Sequence, residues 1–315
     1  MKYSKIKFYE NRYKFIAVSA ILILIGIVFN FIFGTRLDMQ FTGGTVLKYS
    51  YVGDVSDNDI ASIVTDKTGK SVGVQLNENI GENSSKSIVI TFAGTETMTM
   101  DQQKSITESL TEKYPDGAIT LLESSSISPT MGRSFFIKCL SCIGIAFVLL
   151  VLYIALRFRK IGGASAGVMA IIALLHDILI VYFVFIVTKS PLNDNFIAVV
   201  LTILGYSLND TIVIYDRIRE NRELQGDKES LVDIVNLSIN QTLSRSIHTS
   251  LSTFIAIAIV YVVGLIYGIS SITTFALPMM VGVVVGCYSS ICIAGPLYVA
   301  WQNRKKNSKK ATVKD

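Results

Sequence analysis

Long apolar runs alternate with short polar segments over most of the chain, and they predict membrane spans. A helix needs about 20 predominantly apolar residues to cross the hydrocarbon core of a bilayer. Six segments meet this requirement: residues 15–33, 134–156, 161–187, 195–215, 247–266 and 272–300. Pro278 and Pro296 are expected to interrupt the last of them. The pattern predicts a polytopic α-helical membrane protein with six transmembrane helices.

One polar segment, residues 36–134, is long enough to form a domain. Its residue pattern predicts strands at 45–51, 71–76, 86–92 and 118–122. It predicts helices at 57–68, capped by Ser56 or Asp57, and from a cap at Thr99 or Asp101 to a stop near Pro115. The order βαββαβ is that of a ferredoxin-like fold, in which two helices cover an antiparallel sheet. We expect an α+β ferredoxin-like domain between spans one and two.

The basic residues cluster beside the predicted spans and predict their orientation. The 315-residue chain is 50% hydrophobic and 17% charged, whereas soluble domains carry about 25% charged residues. Lysines and arginines precede span one, follow spans two and six and lie between spans four and five, while the short segment after span three carries only Lys189. The positive-inside rule therefore places both termini in the cytoplasm and residues 36–134 outside the cell membrane. Because orientation explains the net charge of +5, no nucleic-acid partner is expected.

This topology divides the chain into four predicted regions. Residues 1–35 form a cytoplasmic N-terminus and span one, and 36–134 form the extracytoplasmic domain. Residues 135–300 form a five-span bundle, and 301–315 form a basic cytoplasmic tail. Within the bundle, 217–244 is predicted to be a cytoplasmic amphipathic segment. Its apolar residues recur at helical spacing from Leu231 to Ile239, which predicts a helix at the interface or against the bundle.

The sequence contains no phosphate-binding loop and no nucleophile–base arrangement. A C-x-x-C pair, Cys139 and Cys142, lies within an apolar run, where packing is the better interpretation. We therefore predict neither an enzyme nor a metal or organic cofactor.

One carboxyl group, Asp210, lies inside span four. A charged side chain near the centre of a bilayer costs about 3 kcal/mol on insertion scales. Tyr206 and Ser207 precede Asp210 by four and three residues and are expected to share its helix face. An acid in such a place is a candidate proton acceptor in a transport path. The alternative is a structural aspartate that is hydrogen-bonded to its neighbours.

Three further polar sites lie in or beside the spans. His176 and Asp177 fall midway along span three, where they either share in a relay or pack through hydrogen bonds. Arg245 opens span five as a counter-charge to Asp210 or as an interfacial arginine. Four charged residues at the cytoplasmic end of span four form a solvated helix end or a structural hinge with the basic loop after span two. They are Asp216, Arg217, Arg219 and Glu220.

Several motifs together resemble the SecF group of the SecD/SecF family of protein-export membrane proteins. They are residues 205–213 (Gly-Tyr-Ser-Leu-Asn-Asp-Thr-Ile-Val), 216–221 (Asp-Arg-Ile-Arg-Glu-Asn), 244–250 (Ser-Arg-Ser-Ile-His-Thr-Ser), His176-Asp177, and Phe41, Thr42, Gly43 and Gly44 with Thr45 after span one. The chain departs from the family pattern at Gln40, where an aspartate is usual, and at Ser246, where a threonine is usual. The first departure argues against a charge at the exit of span one, and the second keeps a hydroxyl group.

The resemblance implies membership of the resistance-nodulation-division superfamily, a SecD-like partner and association with the Sec translocon. It also implies that the proton-motive force drives late steps of export of an unfolded polypeptide, with Asp210 and Arg245 at the proton-relay positions. The proton is then the coupling ion, and sodium is the alternative. Two rival functions follow from the same features: half of a small-molecule efflux pump, and a translocon scaffold that conducts no protons.

Overall fold

The computed structural model of the chain describes residues 6–69, 72–78, 86–93, 98–225 and 228–312. The helices are α1 (Arg12–Phe33), α2 (Met39–Thr42), α3 (Asp57–Thr68), α4 (Met100–Lys113), α5 (Pro129–Arg157), α6 (Gly163–Val187), α7 (Asp194–Gln225), α8 (Leu231–Ile266), α9 (Ser270–Ser289) and α10 (Gly295–Thr312). The strands are β1 (Gly44–Tyr51), β2 (Gly73–Glu78), β3 (Lys86–Ala93) and β4 (Thr120–Ile127). Six helical segments are long and apolar enough to cross a membrane, as the hydrophobic pattern predicts.

The spans form a core of three helices and a periphery of three. More than half of the apolar window is buried in α6, in α7 and in the last span, which begins with α9, whereas α1, α5 and α8 remain largely exposed. Glycines bring α9 against α7: a Cβ atom on Gly282 would lie 1.8 Å from Ile203 Cδ1, and one on Gly286 would lie 3.0 Å from Ser207 Cβ. These two glycines, spaced as Gly-x-x-x-Gly, allow the close helix contact.

The polar segment folds as an antiparallel sheet with the strand order β2-β3-β1-β4. The sheet and the helices α3 and α4 follow one another in the predicted order, β1-α3-β2-β3-α4-β4. Their shared apolar core includes Leu47 and Tyr49 of β1, Ile60 of α3 and Ile106 of α4. A capping box formed by Thr99 and Gln102 begins α4 at the predicted position.

Three predicted boundaries in this segment are wrong. The last strand runs over Thr120–Ile127 rather than 118–122, because Ala118 adopts a left-handed conformation (φ 42°) in the preceding turn. The second strand begins at Gly73, and the predicted first residue, Ser71, lies outside the described residues. The second span begins at Pro129, where Ser128 caps α5. The predicted boundary at 134 therefore falls inside a helix.

The predicted amphipathic helix is present and packs against the bundle, but it is not an element of its own. The stretch from Leu231 onward is the beginning of α8, which continues without a break into the fifth span. Its apolar side chains Ile234, Val235 and Ile239 are buried in the core of the bundle. The predicted start of the fifth span at residue 247 therefore falls inside α8. One rigid element thus joins the predicted cytoplasmic segment to the span.

The last span is interrupted at a different place from the one predicted. Pro278 lies inside α9 without ending it. The change in helix type occurs at the π-helical segment Ser290–Ala294, and Pro296 follows directly as the second residue of α10. The predicted tail from residue 301 continues α10 as far as Thr312.

Residues 6–11, which we call the N-terminal strap, lie along the first turns of α8. Asn240 holds the backbone of Ile6 at both polar groups, accepting from Ile6 N at 3.1 Å and donating to Ile6 O at 2.8 Å. Asn236 accepts from Tyr9 N at 3.0 Å, and Phe8 is buried in the bundle core. The strap fastens the chain that enters α1 to the beginning of α8.

Replacing both Asn236 and Asn240 by alanine is expected to release the strap. Each lost hydrogen bond contributes about 0.5–1.5 kcal/mol, so the detergent-solubilised variant should be cut by trypsin at Lys7 several times faster than the wild type. The control is Asn11→Ala, because the Asn11 side chain bonds Lys7 O within the strap itself. Equal cleavage rates in the double variant and the wild type would contradict this assignment.

Candidate functional site

Asp210 lies on α7 at the contact with α8. Its side chain is 4% exposed, and Ser246, Ser250 and Arg245 of α8 lie close to its carboxyl group. The Tyr206 hydroxyl donates to Ser250 Oγ at 3.1 Å and completes this polar contact between the two helices. Within the described part of the chain, neither Asp210 Oδ2 nor the Ser246 hydroxyl has a hydrogen-bond partner. A proton can therefore be taken up at Oδ2 without breaking a bond to the protein.

Arg245 lies beside this contact without being bound in it. Its side chain is exposed, and none of the ion pairs among the described residues joins it to Asp210. The carboxyl group nevertheless lies within the range of the arginine's charge. The two predicted relay residues are brought together as neighbours and not as a closed salt bridge.

His176 and Asp177 form a separate cluster between α6, α7 and α9. Asp177 is completely buried. Its Oδ2 accepts hydrogen bonds from Ser207 Oγ at 2.6 Å and Ser289 Oγ at 2.7 Å, and its Oδ1 lies 3.0 Å from His176 Nδ1. Ser207 and Asp210, which their spacing of three residues places on one side of α7, contact different neighbours: Ser207 bonds to Asp177 of α6 and approaches α9, and Asp210 lies against α8.

Sequence reasoning missed several residues that complete these two clusters. Ser250 and Ser289 contribute hydroxyl groups, and the Cys287 thiol lies near Ser250 and Asp210. A usable signal exists for the serines, since hydroxyl residues are dense from 244 to 253 and two serines are adjacent at 289–290 inside apolar helices. No comparable signal marks Cys287, whose neighbours are set by the packing of α9.

The charged cluster at the end of α7 ties three helices together. Asp216 pairs with Arg157 of α5 at 3.1 Å and with Arg219 at 3.1 Å. Arg217 pairs with Glu220 at 2.5 Å. A hydrogen bond of 2.8 Å also joins the neighbouring Asn221 of α7 to Ser238 of α8. Partly exposed pairs of this kind contribute about 1 kcal/mol or less each, and a hinge function of the cluster stays a prediction.

The residues Phe41, Thr42, Gly43 and Gly44 form the joint between span one, the sheet and α5. Phe41 is buried, with its ring centroid 5.1 Å from that of Phe136. Gly43 has φ 77° and lies so close to α5 that a Cβ atom would be 2.4 Å from Pro129 Cα. At the departure from the family pattern, Gln40 lies in α2, and its backbone N–H donates to the capping residue Asp38 at 3.0 Å.

No cluster of three or more histidine, cysteine or acidic side chains that could hold a metal ion occurs among the described residues.

These features define a class: a six-span membrane protein with an α/β segment between its first two spans and buried carboxyl groups in its bundle. The sequence model of the family "Protein export membrane protein SecD/SecF, C-terminal" matches residues 106–304. The chain belongs to this family.

Relatives and a solved structure agree with this assignment. The protein translocase subunit SecF of Petrotoga mobilis is 33% identical over 310 residues, which cover 97% of this chain and 99% of the relative. The subunit SecDF of Bacillus subtilis is 32% identical over 95% of this chain and 38% of its own length. The crystal structure of SecDF from Thermus thermophilus, described as a translocon-associated membrane protein, has a TM-score of 0.79 and 29% identity, covering 95% of this chain and 39% of that one. The chain thus spans less than half of the SecDF proteins and nearly all of the SecF subunit.

Proposed function

We propose that the chain is a SecF-type subunit that uses the proton-motive force to assist late steps of protein export. Its family supplies the general role in export. The two SecDF relatives place a segment like this one in the same chain as a second, longer part. We infer that a separate SecD-like subunit supplies that part here, and that the two associate with the Sec translocon. The spans α1, α5 and α8, with their exposed apolar faces, offer surfaces for this association.

The observation that carries the proposal is that the carboxyl group of Asp210 is buried and that its Oδ2 has no hydrogen-bond partner among the described residues. A buried carboxyl group with an unpartnered oxygen can change its charge while the bonds around it stay intact. A proton that crosses a potential of 100 mV releases about 2.3 kcal/mol. That energy is enough to bias an equilibrium between two conformations that differ by a few kcal/mol.

The proposed cycle couples that charge to the position of α8. Ionised Asp210 attracts Arg245, and protonated Asp210 releases it. Because α8 is one continuous helix of 36 residues, a change at Arg245 is transmitted to the end that holds the N-terminal strap. We assign no obligatory relay role to His176, whose Nδ1 bonds its neighbour Asp177.

The polar segment is proposed to lie outside the membrane as a ferredoxin-like domain that holds the emerging, unfolded polypeptide. Its strand order and helix order support this assignment. Gly43 packs directly against Pro129 at the beginning of α5, and movement of the bundle is proposed to reach the domain through this contact. The positive-inside rule supports the orientation, with both termini in the cytoplasm of a cell whose plasma membrane holds the complex.

Export into inverted membrane vesicles tests the proposal. Vesicles that contain the chain and its SecD-like partner should export a substrate protein faster when a proton gradient is imposed, and vesicles depleted of the chain should lose this stimulation. If a sodium gradient stimulated export and a proton gradient did not, the coupling ion would be sodium. Export that depends on the chain but responds to neither gradient would favour a scaffold, and loss of resistance to small toxic compounds without any export defect would favour an efflux pump.

A further inference from the structure

A second buried acid, Asp177, lies at the junction of α6, α7 and α9, and the proposed proton cycle does not use it. Around it lie polar side chains that are each less than a tenth exposed. They are His176, Asp177, Ser207, Thr211, Ser289 and Ser290. Burial of so many polar groups in an apolar bundle is costly unless they bond to each other. Their pattern of bonds therefore indicates what the cluster does.

The bonds of the cluster tie three elements to one another. Asp177 of α6 accepts from Ser207 of α7 and from Ser289 at the end of α9 through a single oxygen, Oδ2. The next residue, Ser290, begins the π-helical segment and donates to Ser207 O at 3.0 Å. Its hydroxyl also lies 2.9 Å from the Thr211 hydroxyl. The point where α9 changes helix type is thus fastened to α7 directly through Ser290 and indirectly through Asp177.

The two buried aspartates differ in whether both oxygens of the carboxyl group have hydrogen-bond partners. Both oxygens of Asp177 are engaged, whereas Asp210 Oδ2 has no partner among the described residues. A proton on Asp177 would have to enter a bond that already exists, either by a shift of the His176 ring proton to Nε2 or by rotation of a serine hydroxyl. The geometry of Asp177 is that of a fixed acceptor, and the geometry of Asp210 is that of a group able to change its protonation.

The cluster also determines where Asp210 lies. Ser207 precedes Asp210 by three residues on α7, which is less than one helical turn. At Ser207 the backbone of α9 approaches so closely that a Cβ atom on Gly286 would be 3.0 Å from Ser207 Cβ. A shift of α7 against α9 would change the distance from Asp210 to Cys287 and to the serines of α8.

We propose that Asp177 is a positioning residue: it anchors α7 to α9 through fixed hydrogen bonds and so holds Asp210 at its contact with α8, without carrying a proton itself. This inference rests on the proposed role of Asp210. It assigns different chemistry to two aspartates that are alike in burial and in their location inside spans.

Replacement of Asp177 by asparagine distinguishes a positioning role from a proton-carrying role. Its amide oxygen can accept from both serines, and its NH2 group can donate to His176 Nδ1 if the ring proton moves to Nε2. Asp177→Asn therefore keeps all three bonds but cannot be ionised. We expect this variant to retain gradient-stimulated export within about twofold of the wild type, and Asp177→Leu, which has no acceptor, to lose about tenfold or more.

The experiment compares export by Asp177→Asn, Asp177→Leu and Asp210→Asn, together with the melting temperature of each purified protein in detergent. Because the leucine variant may fail to fold, Ser207→Ala combined with Ser289→Ala serves as a milder loss of the anchor. The expected result is a lowered melting temperature and lowered export in the serine double variant, and near wild-type values of both in Asp177→Asn. The rescue by the amide is the readout that a proton-carrying acid would not give.

The results that overturn the inference are distinct from those that overturn the proposed function. Loss of gradient-stimulated export in Asp177→Asn to the level of Asp210→Asn, at an unchanged melting temperature, would identify Asp177 as a proton carrier. Wild-type export and melting in the serine double variant would show that no anchor is needed. Undiminished export in Asp210→Asn would reject the proposed function and with it the positioning role, whatever the melting temperatures are.

Discussion

Exchange of Asp210 for asparagine is expected to remove the stimulation of protein export by a proton gradient. The amide has nearly the shape of the acid, so the contact with Ser246 and Ser250 should persist. It cannot take up or release a proton near neutral pH, so the charge at this buried position stays constant through the cycle. Export by the variant should equal export by wild-type vesicles whose gradient has been collapsed. The measurement is the rate of export with and without the gradient, at equal amounts of inserted protein.

Two further exchanges control this result. Asp66→Asn makes the same chemical change on an exposed position of α3 and should leave the stimulation intact. Asp210→Glu keeps a titratable group but displaces it by one methylene, so part of the stimulation should remain. Full stimulation in Asp210→Asn would mean that the carboxyl group is dispensable and that the coupling resides elsewhere.

Gly43→Ala is expected to prevent correct folding of the joint between the sheet and α5. Gly43 has a positive φ of 77° with ψ 167°, a backbone region nearly restricted to glycine, where a residue with a Cβ atom is destabilised by about 1–3 kcal/mol. In addition, the new Cβ would lie 2.4 Å from Pro129 Cα and 2.6 Å from Pro129 N. These are backbone atoms at the beginning of a long helix and cannot move aside as a side chain can. The amount of protein in the membrane should fall severalfold, as measured by immunoblot after equal expression.

Gly53 provides the matched control for this change. Gly53 also has a positive φ, of 86°, but a Cβ atom there would have no neighbour within 4 Å. Gly53→Ala therefore carries only the conformational cost and should accumulate to near the wild-type level. If both variants accumulated equally well, the close contact with Pro129 would not be what demands a glycine at position 43.

The architecture of the spans could be predicted from the sequence because hydrophobic length alone decides it. Six helices appear where six apolar runs occur, since backbone groups in lipid must bond within their own segment. The polar segment was predictable for a related reason. Alternation, capping residues and Pro115 mark its elements, and their order is the predicted one. The errors concern ends, such as the beginning of β4, where a local conformation at Ala118 outweighs the pattern.

The candidate site could be predicted only in part. Asp210, His176 and Asp177 are conspicuous because an ionisable group in an apolar run is rare. Their partners were not predictable, because a helix of 3.6 residues per turn fixes which residues share a face but not which neighbouring helix that face meets. Ser207 and Asp210 illustrate the point: one bonds to α6 and α9, and the other faces α8. The continuity of α8 through its polar stretch was not predictable either, because the burial of Ile234 and Val235 in the bundle core is set by the tertiary packing.

The two buried aspartates are proposed to have different roles. One is held by three bonds and fixes the helices, while the other keeps an oxygen free and changes its charge. Under the proposed function, the membrane gradient would supply the energy, and the protein would supply one titratable position and one continuous helix that responds to it.

Proton movement measured in reconstituted vesicles tests this claim most directly. The chain and its SecD-like partner are inserted into proteoliposomes that enclose a pH-sensitive dye, a membrane potential is imposed, and internal acidification is recorded for the wild type and for Asp210→Asn. The account predicts acidification with the wild type and none above empty liposomes with the variant. Equal acidification by both proteins would contradict it.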